Sequence, residues 1–364
     1  MVSLSDKILR KSIHSRVCTM MRRSKVVPLL LILGLLVMFW LISVFYLPGY
    51  LKVKRPLDSP NVVIESWIPA FAIERTTRNF VPQDGLHFYI TGQTFPDIPF
   101  TDPGYYGNFK KITDPIANDG VWLLANSALC IDLRKSDPNI TKDTLYVELN
   151  VSGQKSENYF ARFNLVINSK TVGGAFTTEN RKNIRFAIPI SKEPVKFMAV
   201  RFDNDLKTAS SDRNLCIHSI KMNGQPIDLK SVDVLITRLE TRQTTGFGSK
   251  ADEVKNYMQM LGVNSSAISV VSFEANERNL TKIAAVHLRE FLSQTEINRL
   301  NVITIELHSR RTLFTYSRIL SPEINCGVIY FEKPGKEKTS FLKDYPIILD
   351  EFFSLAGTWL SLTR

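Results

Sequence analysis

The apolar and polar positions of this 364-residue chain follow four successive patterns. The first is an uncharged apolar run at residues 26–47, VVPLLLILGLLVMFWLISVFYL. A helix of about 20 apolar residues spans the hydrocarbon core of a bilayer, so this run predicts a transmembrane helix. A cleaved signal peptide is the alternative, but the run is longer than a usual signal core, and the bulky residues 47–50 do not resemble a cleavage site.

Charges on either side of this run predict an orientation. Residues 1–25 contain seven Lys and Arg residues and form a basic tail, whereas only Lys52, Lys54 and Arg55 follow the run closely. The positive-inside rule then places the N-terminus in the cytoplasm. We therefore expect a single-pass protein of the inner (plasma) membrane, with its C-terminal domains in the periplasm or outside the cell.

The second and fourth patterns alternate short apolar strands with amphipathic helices. Before the middle of the chain, strands are predicted at 62–65 and 87–91. After Ser249, which begins a capped helix, strands at 267–273, 301–307 and 326–331 are separated by single helices. This rhythm predicts a parallel sheet with right-handed crossovers, an α/β Rossmann-like domain formed by residues 61–97 and 232–364.

The third pattern, at residues 98–231, alternates apolar and polar residues with a period of two. Strands are predicted at 144–151, 159–167, 183–189 and 197–202, separated by turns rich in Gly, Asn and Ser. This spacing predicts an antiparallel β-sandwich, jelly-roll-like, inserted into the α/β domain.

An acid-rich loop lies near the end of the predicted sandwich, within residues 202–224. It contains three aspartates and two asparagines between apolar flanks: Asp203, Asn204, Asp205, Asp212 and Asn214. Calcium takes six to eight oxygen ligands, and such a loop can supply carboxylate and carbonyl oxygens while leaving positions for the hydroxyls of a sugar. The alternative is a polar hairpin whose Asp and Asn side chains only satisfy the backbone of the turn.

The same loop carries a longer motif, V-x-F-x-N-D followed by D-R-N-L-x-I-x-x-I-x-M-N-G. It runs from Val200 to Gly224. This motif resembles the calcium-dependent xylan-binding modules of plant-polysaccharide hydrolases. The resemblance implies that Asp205 and Asp212, with Asp203 and Asn204, hold Ca²⁺, and that the metal coordinates the sugar directly, with Asn214 as a ligand-binding neighbour.

The α/β segments carry a second resemblance. The motifs are VVIESWIP at 62–69, ITGQ at 90–93, the capped helix at 251–263, ERNLT at 277–281 and L-H-S-R-R-T-L-F-x-Y-x-x-I-L at 307–320. Together they resemble the envelope-associated YdcF/SanA/ElyC-like family, which implies a Rossmann-like fold. Relatives usually have a second Gly where this chain has Gln93.

In an open parallel sheet, ligands bind beyond the carboxyl ends of the strands. Glu65, Thr91, Gly92 and His308 are expected at this rim, as ligand-binding residues and, for His308, as an acid or base. Arg310 and Arg311 open the following helix, where an anion is favoured. Glu253 is a further candidate; with His308 and Arg311 it completes the predicted catalytic set, although a Glu in a first helical turn is common for dipole reasons alone.

Composition narrows the function. The net charge of +11 belongs in good part to the basic tail. The sequence shows no basic-aromatic groove motif, so it does not predict nucleic-acid binding. No P-loop, G-x-S-x-G or H-E-x-x-H motif occurs, so the sequence does not support ATPase, serine-hydrolase or zincin chemistry. We expect a membrane-anchored, calcium-dependent carbohydrate-binding protein of cell-envelope or exopolysaccharide assembly, with a glycan and envelope-assembly proteins as partners. The alternative is an enzyme that acts on a phosphorylated or lipid-linked sugar in the crevice around His308.

Overall fold

The computed structural model of the protein describes most of the chain. The described residues are 28, 30–42, 44–80, 85–94, 116–117, 120–124, 126–133, 144–168, 170–189, 194–228, 233–238, 248–274, 279–332, 334 and 341–362. The predicted basic tail at 1–25 lies outside them, as do residues 26, 27, 29 and 43 of the predicted transmembrane run.

The prediction of a transmembrane helix at 26–47 is wrong, because no helix among the described residues is both long and apolar enough to cross a bilayer. Leu47, the last residue of the apolar run, is buried with Leu51 against Ile348. The predicted inner-membrane localisation, with C-terminal domains in the periplasm or outside the cell, is corrected with it.

The secondary structure follows the predicted patterns closely. In chain order the strands are β1 (Asn61–Glu65), β2 (His87–Gln93), β3 (Ile116–Ala117), β4 (Gly120–Leu123), β5 (Ser127–Asp132), β6 (Thr144–Gly153), β7 (Lys155–Ser156), β8 (Tyr159–Phe160), β9 (Arg162–Ile167), β10 (Lys170–Phe176), β11 (Lys182–Pro189), β12 (Phe197–Phe202), β13 (Leu215–Met222), β14 (Gln225–Pro226), β15 (Asp233–Arg238), β16 (Ile268–Phe273), β17 (Arg299–Ile305) and β18 (Asn325–Phe331). The helices used below are α1 (Leu47–Leu51), α2 (Ala70–Phe80), α3 (Lys250–Met260), α4 (Leu280–Leu292), α5 (Ser309–Leu320) and α6 (Phe341–Leu362).

The predicted parallel sheet is present, with strand order β16-β2-β1-β17-β18. Its central strand β1 is apolar on both faces, and Val62, Val63 and Ile64 are fully buried, as expected where helices cover both sides of a parallel sheet. In chain order this is a 3-2-1-4-5 arrangement, so the direction of winding reverses between β1 and β17. Ligands of open α/β sheets bind at such a reversal.

The predicted antiparallel strands are also present and form two sheets. One has the order β10-β9-β12-β5-β15 and the other β11-β6-β13-β4-β3, within the described residues. Both sheets contribute to one apolar core. Strand β6 shows how the sequence specifies this packing: Leu145, Val147, Leu149 and Val151 alternate inward and are fully buried.

The strands of the parallel sheet come from both sides of the sandwich in the sequence. This arrangement supports an insertion. The boundaries 61–97, 98–231 and 232–364 nevertheless stay a prediction, because residues 95–115 and 229–232 lie outside the described part of the chain.

A buried ion pair joins the sandwich to the α/β unit. Arg213, which precedes β13, donates to both carboxylate oxygens of Glu74 on α2 at 2.7 and 3.1 Å, and both side chains are almost fully buried. The hydroxyl of Tyr257 on α3 donates to the same carboxylate. A buried carboxylate and guanidinium are tolerated only when they are paired, so this contact fixes where α2 lies against the sandwich.

Further contacts extend this junction. Arg201 of β12 donates to Glu253 of α3 at 2.9 Å. The guanidinium of Arg162 lies 3.7 Å from the ring centroid of Tyr257, a cation–π contact. Leu206, between β12 and β13, is buried in the apolar cluster of the α/β unit. The acid-rich loop is therefore anchored at its base by the α/β unit.

We expect Arg213→Met to lower the free energy of unfolding by about 3–5 kcal/mol, because the Glu74 carboxylate is left buried without its charge partner. Urea denaturation of the full chain measures this change. The control is Lys221→Met, which breaks an exposed 3.4 Å pair with Glu148 and should cost at most about 1 kcal/mol. Equal losses in the two variants would show that the buried pair does not hold the junction.

Candidate functional site

The acid-rich loop connects β12 to β13 as a short hairpin. Lys207 and Asp212 form an antiparallel bridge, and the backbone N–H of Thr208 donates to Ser211 O at 2.8 Å. The tip at Lys207, Ala209 and Ser210 is exposed. A rigid base and an exposed tip suit a loop that contacts a ligand in solution.

Asp203 and Asn204 do not fit the metal-ligand role that the resemblance implied. Asp203 pairs with the guanidinium of Arg162, whose Nε donates at 2.9 Å, and also accepts from Asn164 at 3.1 Å. Asn204 is fully buried, accepts from the Arg162 N–H at 2.7 Å and donates to Phe160 O at 3.1 Å. Both side chains are used to hold β9 and the base of the loop.

Asp205, Asp212 and Asn214 have a different environment. The backbone N–H of Asp205 donates to Asn126 Oδ1 at 2.9 Å. Oδ1 of Asp212 and Oδ1 of Asn214 are buried and have no hydrogen-bond partner among the described residues. Buried acceptors are rarely left in this state, and oxygens of this type are the ligands that calcium prefers.

The protein ligands of such a site would be few. No group of three or more Asp, Glu, His or Cys side chains able to hold a metal occurs in the described part of the chain. Two carboxylates and one amide are fewer than the six to eight oxygens that calcium takes. These residues fit calcium only if loop carbonyls and the hydroxyls of a bound sugar supply the rest.

A second polar cluster lies where the winding of the parallel sheet reverses. Glu65 ends β1 and is fully buried; one of its oxygens accepts from Thr304 at 2.9 Å and from Thr312 at 3.4 Å. Burial raises the pKa of Glu65, and the charge of His308 and the hydroxyls of Thr304 and Thr281 do not cancel this effect. The protonated form of this carboxyl is therefore favoured compared with an ordinary glutamate.

His308 follows β17 and contacts residues from two other helices. Its Nε2 lies 3.0 Å from the hydroxyl of Thr281 on α4, and its Nδ1 lies 2.9 Å from Glu351 on α6. Arg311 forms an ion pair with Glu351, with an Nε to Oε2 distance of 3.2 Å. Burial raises the pKa of Glu351, but the hydrogen bond and charge of His308 and the charge of Arg311 outweigh it, so the pKa is lowered overall.

The remaining rim residues have structural contacts. The Thr91 hydroxyl is buried and donates to Ile64 O at 3.5 Å. A Cβ at Gly92 would lie 2.5 Å from the Ser66 hydroxyl and 2.6 Å from the Ala251 nitrogen, so glycine lets the start of α3 approach β2. Arg310 donates to Tyr50 O and stacks on the Tyr50 ring, 4.0 Å from its centroid.

The structure brings Glu65, His308 and Arg311 together but directs Glu253 to the junction with the sandwich. Glu253 pairs with Arg201 and with Lys250, at 2.9 and 2.8 Å. Burial alone would raise its pKa, but these two charges outweigh burial and lower the pKa to about 2. A glutamate with two cationic partners is not available as a base.

Sequence reasoning missed several residues of both clusters: Glu74, Arg162, Arg201, Tyr257, Thr281 and Glu351. Most of them interact across long sequence separations, and no local motif marks such pairs. One sequence signal pointed to Glu351: it and Asp350 are the two charged residues in an otherwise largely apolar stretch, IILDEFFSL at 347–355.

Residues 146–237 match the model of the family described as Ca-dependent carbohydrate-binding module xylan-binding (CBM60). The chain contains a carbohydrate-binding module. The match covers 92 of the 364 residues, including the whole acid-rich loop. The predicted resemblance to calcium-dependent xylan-binding modules is thus confirmed for this part of the chain. The YdcF/SanA/ElyC-like resemblance is not shown by these comparisons and stays a prediction.

Solved structures with similarity to the chain include a carbohydrate-binding module, CBM36, in complex with calcium and xylotriose (17% identity, 32% of this chain and 88% of that chain, TM-score 0.19). An acetyl xylan esterase from the rumen bacterium Butyrivibrio proteoclasticus has 11% identity over 67% of this chain and 73% of that chain, with a TM-score of 0.22. A family two carbohydrate esterase from Clostridium thermocellum has 7% identity over 68% of this chain and 97% of that chain, with a TM-score of 0.21. We draw no argument from similarities this weak. A comparison with curated proteins gave no match.

The contacts of Glu253 predict a pH dependence of stability. Its pKa of about 2 in the folded protein lies below the ~4.3 of glutamate in an unfolded chain. The stabilisation is therefore present above pH ~4.3 and is lost as the pH falls towards 2. We expect Glu253→Gln to lower the free energy of unfolding at pH 7 and to flatten its decline in acid, as measured by denaturation at a series of pH values.

The control for this experiment is Glu290→Gln. The Glu290 side chain is exposed and lies 3.4 Å from His287 Nδ1, so loss of its charge should change neither quantity appreciably. An unchanged acid decline in Glu253→Gln would mean that the junction charges do not determine acid stability.

Proposed function

We propose that the protein binds a xylan-like polysaccharide through the hairpin loop of its carbohydrate-binding module, in a calcium-dependent manner. Asp205, Asp212 and Asn214 supply side-chain oxygens to the cation, and hydroxyls of the sugar complete its coordination. The role in cell-envelope or exopolysaccharide assembly, with envelope-assembly proteins as partners, stays a prediction.

One observation carries this proposal. The family match includes the hairpin loop, and in that loop the Asp212 and Asn214 oxygens are buried without a hydrogen-bond partner in the described residues. A loop that served only as a turn would direct such oxygens to its own backbone N–H groups. Asp203 and Asn204 instead accept hydrogen bonds from β9, so the loop divides into a structural half and a half that contains the unpaired Asp212 and Asn214 oxygens.

The charge on Lys207 bears on the affinity for the cation. Its ammonium lies 3.4 Å from Asp212 Oδ2, and both side chains are exposed enough to be solvated. A cation that binds Asp212 must therefore displace this ammonium or share the carboxylate with it. The affinity for calcium should be lower than the two carboxylates alone would give.

The alternative function, an enzyme for a phosphorylated or lipid-linked sugar near His308, gains no support from its arginines. Arg311 pairs with Glu351, and Arg310 donates to Tyr50 O, so both guanidinium groups already have partners within the protein. This alternative stays a prediction.

We expect calorimetric titration of the full chain to show calcium binding and, only with calcium present, binding of xylan oligosaccharides. The double variant Asp205→Asn/Asp212→Asn should lose both, because the replacement removes the negative oxygens that a hard cation requires. A folded wild-type protein that binds xylan equally well in a chelator would contradict the role of calcium, and one that binds no glycan would contradict the proposal.

Asp203→Asn is the matched control from the same loop. It removes the partner of buried Arg162, so we expect a loss of a few kcal/mol in the free energy of unfolding, about 3–5 for a buried pair. Calcium binding by the protein that remains folded should be unchanged. Loss of calcium binding in folded Asp203→Asn would show that Asp203 is a metal ligand after all.

Lys207→Met should strengthen calcium binding modestly. Exposed ion pairs contribute up to about 1 kcal/mol, so we expect a gain of no more than about fivefold in affinity at low salt. Titrations at low and high ionic strength measure the effect, which salt should reduce. Weaker calcium binding in Lys207→Met would show that the lysine does not compete with the cation.

A further inference from the structure

Three side chains of the α/β unit form a hydroxyl–imidazole–carboxylate series. The Thr281 hydroxyl lies 3.0 Å from His308 Nε2, and His308 Nδ1 lies 2.9 Å from Glu351 Oε1. These are the distances of a nucleophile beside its base and of a base oriented by a carboxylate. Thr281 and Glu351 come from α4 and α6, and His308 is the N-cap residue of α5, so the series depends on tertiary packing.

This order of roles requires the imidazole tautomer that carries its proton on Nδ1. A proton on Nδ1 that is donated to Glu351 leaves Nε2 to accept the hydroxyl proton of Thr281. Arg311 is also close, with an amino nitrogen 2.7 Å from Nδ1 and 3.2 Å from Glu351 Oε1. Burial raises the pKa of Glu351, but the hydrogen bond and charge of His308 and the charge of Arg311 outweigh burial and lower it.

The series lies where an open parallel sheet binds ligands. Thr281 and His308 follow the carboxyl ends of β16 and β17, and Glu65 ends β1, beside the reversal of strand order. Oε1 of Glu65 and the hydroxyl of Ser66 are buried without hydrogen-bond partners in the part of the chain that the structure describes. Buried polar atoms in this state are rare, and a bound polar group would satisfy them.

We propose that Thr281, His308 and Glu351 act as nucleophile, general base and orienting carboxylate in the hydrolysis of an O-acyl ester carried by a carbohydrate. The carbohydrate part of this inference rests on the proposed function. Burial favours the protonated form of Glu65, and a neutral carboxyl group can donate a hydrogen bond to the oxyanion of a tetrahedral intermediate.

The two steps balance as follows. Thr281 Oγ bonds to the acyl carbon while Nε2 of His308 takes the hydroxyl proton; the bond from that carbon to the sugar oxygen then breaks, and the sugar oxygen receives the proton. Water, deprotonated by His308, next attacks the acyl-threonine. The Thr281 oxygen leaves and regains a proton, and the carboxylic acid is released.

Charge favours an acyl ester over a phosphate ester. The cationic groups nearest the series are paired, Arg311 with Glu351 and Lys52 with Glu306. Two carboxyl groups, Glu65 and Glu351, flank the Thr281–His308 pair. A neutral ester is compatible with these surroundings, whereas a phosphate dianion would be repelled by the carboxylates and would compete with Glu351 for Arg311.

The test uses the full chain with p-nitrophenyl acetate and with acetylated xylan, and follows p-nitrophenol and acetate release. We expect Thr281→Val to lower kcat at least about a thousandfold and Glu351→Gln to lower kcat more than it changes KM. Thr281→Ser, which keeps a hydroxyl nucleophile, should keep activity within about tenfold of wild type. Mass spectrometry of acid-quenched reactions should find the acyl group on Thr281.

Thr358→Val is the matched control. The Thr358 hydroxyl donates to Ser354 O within α6 at 2.8 Å and has no part in the Thr281–His308–Glu351 series. The activity of Thr358→Val should therefore equal that of wild type. Circular dichroism and thermal melting establish which variants are folded. Equal activity in folded Thr281→Val and wild type, or no ester hydrolysis by wild type, overturns the inference; so does His308-dependent cleavage of p-nitrophenyl phosphate in place of the ester.

Calorimetric glycan titration of the wild-type chain, run beside the p-nitrophenyl acetate assay, separates this inference from the proposed function, because the small ester carries no glycan. Thr281-dependent hydrolysis of the small ester without glycan binding supports the series and contradicts the proposed function. Calcium-dependent glycan binding without any ester hydrolysis supports the proposed function and overturns the series.

Discussion

The buried ion pair between Arg213 and Glu74 is the interaction on which the arrangement of this protein depends. Neither charge is accessible to water, so each is stable only beside the other. Arg213 also donates to Asn204 O and Ser156 O, which ties the base of the hairpin loop to the same point. The position of the loop is thus determined by a residue of the α/β unit.

This constraint explains the division of the acid-rich loop. Residues at its base, Asp203 and Asn204, face Arg162 and β9 and serve the framework. Asp212 and Asn214, on the side of the loop that leads into β13, each have a buried side-chain oxygen without a hydrogen-bond partner in the described residues. Asp and Asn residues of the same loop therefore have two different roles, and only the contacts of each side chain distinguish them.

The α/β unit has its own centre of polar residues for a topological reason. Helices before and after the strand reversal diverge there, and the carboxyl ends of β1 and β17 are left between them. Glu65, His308 and Thr281 meet in this space, and α6 covers it with Glu351. The hairpin loop and this centre belong to one folded chain whose units share buried charges, so a glycan held by the module would be held beside the α/β unit.

The sequence by itself determined the local structure: periodicity of two gave the sandwich strands, alternation of strands and helices gave the parallel sheet, and a contiguous motif marked the carbohydrate-binding module. It also marked His308 and Arg311, which lie in one short segment. Apolar length alone was misleading at residues 26–47, because no helix among the described residues is both long and apolar enough to cross a bilayer. Only the tertiary structure decided that Asp203 pairs with Arg162, that Glu253 faces Arg201 and that Thr281 and Glu351 flank His308. Periodicity reports which face of an element is buried, whereas the partner of a buried charge depends on packing between elements that lie far apart in the chain.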